Sequence, residues 1–175
     1  MTDGARLPLV CLHGWGFDAS TWAPMRAHLE GWEIRADDAG YFGHGFAPER
    51  PAAYVAVGHS LGAMRGLEEA GDGCRGLVLI NGFARFSVAG DFPAGVAPRV
   101  LDRMLTRLAA DPAAVVGEFR RRCGADDPTD AGTLDGAALA AGLRHLRAGD
   151  ARAAWAARRV PVRILAGDAD PVVTQ

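Results

Sequence analysis

A serine between two glycines is the clearest chemical signal in this 175-residue sequence. Residues 58–62 read Gly-His-Ser-Leu-Gly and fit G-x-S-x-G, the pattern of a nucleophilic serine on a tight turn between a strand and a helix. An apolar run at 54–57 precedes the pattern and a helical stretch at 63–70 follows it, as such a turn requires. The sequence therefore predicts Ser60 as the nucleophile of an acyl transfer.

Two further motifs could complete the chemistry of Ser60, because acyl transfer needs N–H donors for an oxyanion and a carboxylate that orients a base. His-Gly-Trp-Gly at 13–16 ends another apolar run, at the sheet edge where ligands bind. We assign the donors to the backbone N–H groups of Trp15 and Leu61, and the Trp15 indole would line an acyl pocket. The acid is Asp168 or Asp170, which follow a late strand, and we favour Asp170.

The general base is harder to place, because in the chain order Ser, Asp, His it should follow the acid. All five histidines precede Asp170. We expect His13 and His59 to pack in their turns and form hydrogen bonds, and His28 to lie on the surface. His44 and His145 are weak candidates for the base. We expect the base to belong to a longer gene product, and this chain as written to show little turnover.

Short apolar runs alternate with helical patterns through the first 82 residues. The runs are those of parallel strands, at 7–12, 33–36, 53–57 and 77–80, with a fifth at 160–166. Helical spacing is present at 21–29 and 63–70. This rhythm predicts βαβ units, and so an α/β protein with a mostly parallel central sheet of about five strands and helices on both faces.

The rhythm breaks between residues 83 and 150. Three stretches of helical spacing occur there, with proline at or near their starts: 98–110, 112–123 and 137–146. We interpret 83–150 as a helical lid inserted into a core made of 1–82 and 151–175.

Composition narrows the class of protein. Nineteen cations, all arginine, against 21 acidic residues give a net charge of −2, which provides no basic excess for binding nucleic acid. Three dispersed cysteines form neither a disulfide framework nor a metal-binding pair. No apolar run reaches the roughly 18 residues of a membrane span. We expect a cytoplasmic, single-domain protein without a membrane association, a metal or an organic cofactor.

The motifs together resemble the α/β-hydrolase superfamily. They are 10–16 (VCLHGWG), 57–62 (VGHSLG), 77–82 (LVLING) and 163–173 (RILAGDADPVV), in family order. Within it, His-Gly-Trp-Gly and the helical lid are most similar to the biotin-synthesis esterases that demethylate pimeloyl-acyl carrier protein methyl ester. The resemblance implies Ser60 as nucleophile, Asp170 as acid, Trp15 and Leu61 as oxyanion donors, and Phe119 as a wall of the acyl site. One departure is the loop at 38–45, which lacks the proline of the usual D-x-P-G-x-G-x-S.

Arginines on the predicted lid suggest a partner. Arg99, Arg103 and Arg107 recur every four residues, and 120–122 is a run of three arginines. Such a stripe is ordinarily a solvated helix face, but it could also dock an acidic acyl carrier protein, which the resemblance supports.

The hypothesis that fits these features best is a serine carboxylesterase that acts on a medium-chain acyl ester or a thioester-linked acyl chain. Pimeloyl-acyl carrier protein methyl ester is the specific candidate substrate. Two alternatives keep the fold: a lactone or C–C bond hydrolase, and a non-catalytic protein that binds acyl ligands or a protein partner.

Overall fold

Five parallel strands form the central sheet of the computed structural model, which describes residues 6–125 and 133–172. The ends of the predicted core, 1–5 and 173–175, and residues 126–132 of the predicted lid lie outside the described residues. The strands are ordered β2-β1-β3-β4-β5, and all neighbouring pairs are parallel. Their bounds are β1 Leu9–Leu12, β2 Ile34–Ala36, β3 Tyr54–His59, β4 Cys74–Ile80 and β5 Val162–Leu165. The prediction of about five parallel strands is confirmed.

Helices cover both faces of the sheet, because successive strand residues point to opposite sides. On one side, Leu9 and Cys11 of β1 pack with Trp22, next to helix α1 (Ala23–His28). On the other side, Val10 packs with helix α2 (Leu61–Glu69), which contacts the short helix α6 (Arg152–Ala157). The sequence did not predict α6, and residues 19–22 form a 3-10 turn before α1, where one longer helix was expected.

Among the described residues, three helices lie between β4 and α6, in the segment predicted as a lid. They are α3 (Pro98–Ala110), α4 (Pro112–Arg122) and α5 (Gly136–Ala148), called the lid helices below. Their buried residues join a cluster with Trp15, Tyr41 and Leu61. The lid helices therefore pack over the turn after β1 and the start of α2, which is the carboxyl edge of the sheet. The division into a core and a lid insertion stays a prediction.

Candidate active site

Ser60 lies between the end of β3 and the first residue of α2. Its backbone has φ 53° and ψ −120°, in the left-handed region that residues other than glycine rarely adopt. A hydrogen bond from its N–H to the Ile80 carbonyl (2.9 Å) fastens this turn to β4. Strain of this kind costs free energy and persists only where the surrounding structure enforces it.

Gly58 and Gly62 allow α2 to lie close to β3 and to β1 at the Ser60 turn. A Cβ atom on Gly58 would lie 2.5 Å from the Ala63 Cα and from the Gly62 carbonyl oxygen. A Cβ atom on Gly62 would collide with the carbonyl of Leu12, at the end of β1. Because both obstacles are backbone atoms, no side-chain movement could relieve them. Steric exclusion thus explains both glycines of the motif.

Two backbone N–H groups near Ser60 have no acceptor in the part of the chain that the structure describes. Within residues 6–125 and 133–172, no carbonyl or side chain accepts a hydrogen bond from the N–H of Trp15 or of Leu61. Leu61 is the first residue of α2, where N–H groups lack helical partners and the helix dipole favours an anion. Gly14 brings the turn after β1 against Ser60, since a Cβ on Gly14 would lie 3.2 Å from the Ser60 Cβ. Leu61 therefore adjoins Ser60 in the chain, and the turn that carries Trp15 lies against Ser60 in space.

Trp15 also connects this turn to the lid helices. Its side chain is only 2% exposed, and its indole N–H donates to the Leu139 carbonyl of α5 (2.8 Å). Its ring meets the ring of Phe119, on α4, edge to face at 5.0 Å. Trp15 is thus buried under the lid rather than exposed at a rim.

An apolar cavity of about 190 Å³ opens beside Ser60. Trp15 and Phe119 line it, as the sequence predicted for an acyl site. The rest of the lining comes mostly from α3 and α5, with one cation, Arg122: the apolar residues are Phe86, Val96, Val100, Leu101, Met104, Leu143, Leu146 and Val172. The cavity can hold an aliphatic chain with its reacting end at Ser60.

A second cavity, of about 450 Å³, lies between Ser60 and Asp170. Asp170 contributes to its lining and Asp168 does not. The Asp170 carboxylate accepts a hydrogen bond from the Val172 N–H (2.7 Å), which holds the loop after β5. The structure therefore brings Asp170, the favoured aspartate, into the space beside Ser60.

Sequence reasoning missed two residues of this second cavity. Asn81, directly after β4, has a left-handed backbone (φ 44°), and its side-chain oxygen accepts from the Gly167 N–H (2.9 Å). This bond ties the loop that carries Asp170 to β4. The Asn-Gly pair at the end of a strand was the available signal. Cys123, just after α4, also lines the cavity, and nothing in its sequence context indicated this.

The histidines lie at different distances from this chemistry. His59 lines the second cavity, and its buried Nδ1 atom has no hydrogen-bond partner within residues 6–125 and 133–172. Burial lowers the pKa of His59, while the negative charge of Asp170 acts in the opposite direction. His145 on α5 forms an ion pair with Glu68 of α2, with 2.8 Å between Nε2 and Oε2. His13 is buried beneath the turn after β1, His28 ends α1, and His44 is exposed in the loop after β2.

The predicted arginine clusters divide into different environments. Arg103, Arg107 and Arg122 line a groove of about 270 Å³ between α3 and α4. This groove shares Val100, Met104, Phe119 and Arg122 with the apolar cavity beside Ser60. Arg120 instead lies over the rings of Phe17 and Phe42, with its guanidinium 4.9 Å and 5.7 Å from their centroids.

Within the described residues, no group of three or more histidine, cysteine or acidic side chains is arranged to hold a metal ion. The same residues contain no helix that is both long and apolar enough to cross a membrane.

Comparisons with known proteins identify the fold. No family model matches the sequence. The chain is 31% identical over 129 residues to the biotin biosynthesis bifunctional protein BioHC of Cellvibrio japonicus (strain Ueda107), a match that covers 63% of this chain and 26% of that protein. The chain thus corresponds to about a quarter of that relative's length.

Solved structures match nearly the whole chain. The esterase EaEST of Exiguobacterium antarcticum has a TM-score of 0.78 at 18% identity, and a bromoperoxidase of Bacillus anthracis has 0.79 at 19%; each match covers 98% of this chain and 77% of the other. An enol-lactonase of Burkholderia xenovorans LB400 has a TM-score of 0.70 at 18% identity, covering 97% and 86%. The chain has the α/β-hydrolase fold, and the predicted resemblance is confirmed.

Proposed function

We propose that this chain carries the acylation site of a serine carboxylesterase, with Ser60 as the nucleophile and Asp170 as the acid that orients a base. The observation that carries the proposal is the position of Ser60. It lies on a strained turn beside two N–H groups that find no acceptor among the described residues, between an apolar cavity and a cavity that Asp170 lines. The N–H groups of Trp15 and Leu61 would stabilise the oxyanion. Phe119 would contact the acyl chain.

Covalent labelling tests the nucleophile directly. A fluorophosphonate probe reacts with an activated serine and leaves ordinary surface serines unmodified. We expect one label per chain, on Ser60, and no label on Ser60→Ala. Ser20→Ala, a change in an exposed residue of the 3-10 turn, should label like the parent. A parent protein that stays unlabelled even when imidazole supplies a base would reject the serine-enzyme hypothesis and favour a non-catalytic binding protein.

Supply of a base should limit turnover in this chain. His59 is the histidine that lines the Ser60–Asp170 cavity within the described residues, and its lowered pKa makes it a weak proton acceptor. The cavity has room for a five-membered ring beside both residues. We therefore expect imidazole to accelerate p-nitrophenyl acetate hydrolysis by the parent beyond the rate with Ser60→Ala. Robust turnover without imidazole would show that the chain already holds its base.

The narrower proposal concerns the substrate. The apolar cavity at Ser60 shares Arg122 and three apolar residues with the groove between α3 and α4, so an acyl chain bound at Ser60 could extend toward Arg103 and Arg122. Arg107 of the same groove is paired with Glu118 (2.7 Å). This arrangement fits an acyl ester whose far end is attached to an acidic carrier protein. The likeness to a biotin biosynthesis protein makes pimeloyl-acyl carrier protein methyl ester the specific candidate.

Charge reversal on α3 tests the carrier protein. Arg103 lines the groove, whereas Arg99, one turn earlier on the same helix, does not. We expect Arg103→Glu to weaken binding of acyl carrier protein several-fold, more at low salt than at high salt, while Ser60 labelling by a small probe stays unchanged. Arg99→Glu is the matched control and should bind nearly as the parent does. Equal affinity for the parent and both variants would refute docking at this groove.

A further inference from the structure

His13 is held between two backbone groups from separate parts of the chain. It is 1% exposed. Its Nε2 atom lies 2.9 Å from the N–H of Ala39, in the loop after β2, and its Nδ1 atom lies 2.8 Å from the carbonyl oxygen of Gly14. An amide N–H can only donate, so Nε2 must be the acceptor and carries no proton. The proton of the neutral ring is therefore on Nδ1, and it is donated to Gly14.

The acceptor of that bond belongs to the peptide group of a proposed oxyanion donor. The carbonyl of Gly14 and the N–H of Trp15 are the two ends of one planar trans peptide, and they point in opposite directions. A bond that fixes the carbonyl therefore also fixes the direction of the N–H. It polarises the peptide as well, which strengthens the N–H as a donor.

Nothing else in the described residues holds this peptide by its N–H end, because the Trp15 N–H has no acceptor there. The sequence does not fix the orientation of the Gly14–Trp15 peptide, since Gly14 precedes Trp15 and Gly16 follows it, and glycine allows wide backbone rotation. Gly16 uses that freedom, with φ 73°.

We propose that His13 is the positioning residue of the oxyanion site: its Nδ1–H holds the Gly14 carbonyl so that the Trp15 N–H stays directed to the oxyanion formed at Ser60. This role rests on the proposed function of Ser60. His13 touches no substrate and acts only through the Gly14–Trp15 peptide.

Two variants separate this role from simple packing. Asparagine places an amide N–H near the Nδ1 position, so His13→Asn keeps the donor to Gly14 and loses the acceptor for Ala39. Glutamine places an amide oxygen near the Nε2 position, so His13→Gln keeps the acceptor for Ala39 and loses the donor to Gly14. Each variant loses one hydrogen bond of similar kind, so similar losses of stability are expected.

The first readout is the kinetics of Ser60 phosphonylation by a fluorophosphonate. We expect His13→Gln to lower the maximal rate constant about 10²-fold, as loss of one oxyanion donor does, with little change in the reagent's half-saturation concentration. His13→Asn should stay within a few-fold of the parent. Equal losses in both variants, or a larger loss in His13→Asn, would overturn the proposal.

The second readout does not need a reactive serine. The chain has four tryptophans, so ¹⁵N-tryptophan labelling gives four backbone amide signals, and Trp15→Phe assigns one of them. We expect His13→Gln to shift the Trp15 amide signal and His13→Asn to leave it near its place. An unmoved signal in His13→Gln overturns the inference. If the parent serine does not react but the signal moves as expected, the proposed function fails and the positioning of the peptide stands.

Discussion

Gly62 and Gly66 lie one turn apart on α2 but have different surroundings. A Cβ on Gly62 would strike the Leu12 backbone, whereas a Cβ on Gly66 would meet side-chain carbons at 3.8 Å or more, an ordinary contact. We expect Gly62→Ala to lower the free energy of unfolding by more than about 3 kcal/mol, because backbone must move. Gly66→Ala, the matched control, should change it by at most about 1 kcal/mol, toward higher stability, because alanine favours the helix.

Urea denaturation followed by circular dichroism measures both effects. Similar stability of the two variants would show that the approach of α2 to β1 is not as tight as the structure has it. If Gly62→Ala does not fold, the comparison still stands, since Gly66→Ala should fold and unfold cooperatively.

At the residue scale, the sequence could predict site residues that belong to a short local motif. The pattern around Ser60 can be recognised from five residues, although only the requirement at Gly58 is local; the obstacle at Gly62 is the Leu12 backbone of β1. The arrangement of His13 was not readable, because its partner Ala39 is 26 residues away and either ring tautomer has the same one-letter code. Likewise, only the fold shows that Asp170 and not Asp168 lines the cavity at Ser60.

At the element scale, prediction succeeded where a boundary has a local cause. Helix α3 spans Pro98–Ala110 as expected, and proline is favoured at the first turn of a helix. Residues 21 and 22, expected to begin a helix over 21–29, instead end a 3-10 turn that Asp18 starts by accepting a hydrogen bond from the Ser20 N–H, so α1 begins at Ala23. Helix α6 has six residues, too few to show a periodic pattern.

Arg158 offers an element-scale test, because it closes the C-terminal end of α2. Its guanidinium donates to the carbonyls of Leu67 and Ala70, which the helix itself leaves without partners. We expect Arg158→Ala to lower the free energy of unfolding by about 1–3 kcal/mol, since two carbonyls lose a charged donor at the negative end of the helix dipole.

Arg159→Ala is the matched control for this test. Arg159 is exposed and, among the described residues, bonds only the nearby carbonyls of Ala156 and Arg158, so its loss should cost less than about 0.5 kcal/mol. Thermal and urea denaturation of both variants supply the comparison. Equal effects would mean that the C-terminal end of α2 does not depend on Arg158.

At the scale of the whole molecule, the lid helices and the site share one hydrophobic cluster. Leu139 and Leu143 of α5 are fully buried together with Trp15 and Leu61, which carry the two proposed oxyanion donors. Hydrophobic periodicity could predict that 137–146 is a helix with one apolar face. It could not predict that this face covers Trp15 and Leu61, because these two partners are more than 70 residues away along the chain. The packing of the lid and the geometry of the site are therefore not independent.

Buried titratable groups should also limit the stability of the whole molecule on both sides of neutral pH. Burial lowers the pKa of His13; the charges of Asp37 and Asp38 act to raise it, and the charge of Arg65 acts to lower it further. Burial also lowers the pKa of His59. Burial raises the pKa of the Cys11 thiol to about 12, although Arg26 acts to lower it. Burial also raises the pKa of Tyr41 to about 12. All four groups are therefore held neutral by the folded state.

The sign of each effect follows from which state binds more protons. Below the ordinary histidine pKa of about 6.5, the unfolded chain takes up protons that folded His13 and His59 resist, so stability falls as pH decreases. Above the ordinary thiol pKa of about 8.5, the unfolded chain releases the Cys11 proton that the folded state retains, so stability falls as pH rises; Tyr41 adds to this above about pH 10. The free energy of unfolding should thus be highest between about pH 7 and pH 8.5.

Urea denaturation at a series of pH values from 5 to 10 measures this profile, and Cys11→Ala isolates its alkaline side. The variant should be less stable at every pH because it leaves a cavity, but its decline between pH 9 and pH 10 should be shallower than the parent's. One group can contribute a slope of at most about 1.4 kcal/mol per pH unit, so the difference in slope cannot exceed that value. Parallel curves for the parent and Cys11→Ala would show that the Cys11 proton is not retained by the folded state, and that β1 is more open to water than its burial implies.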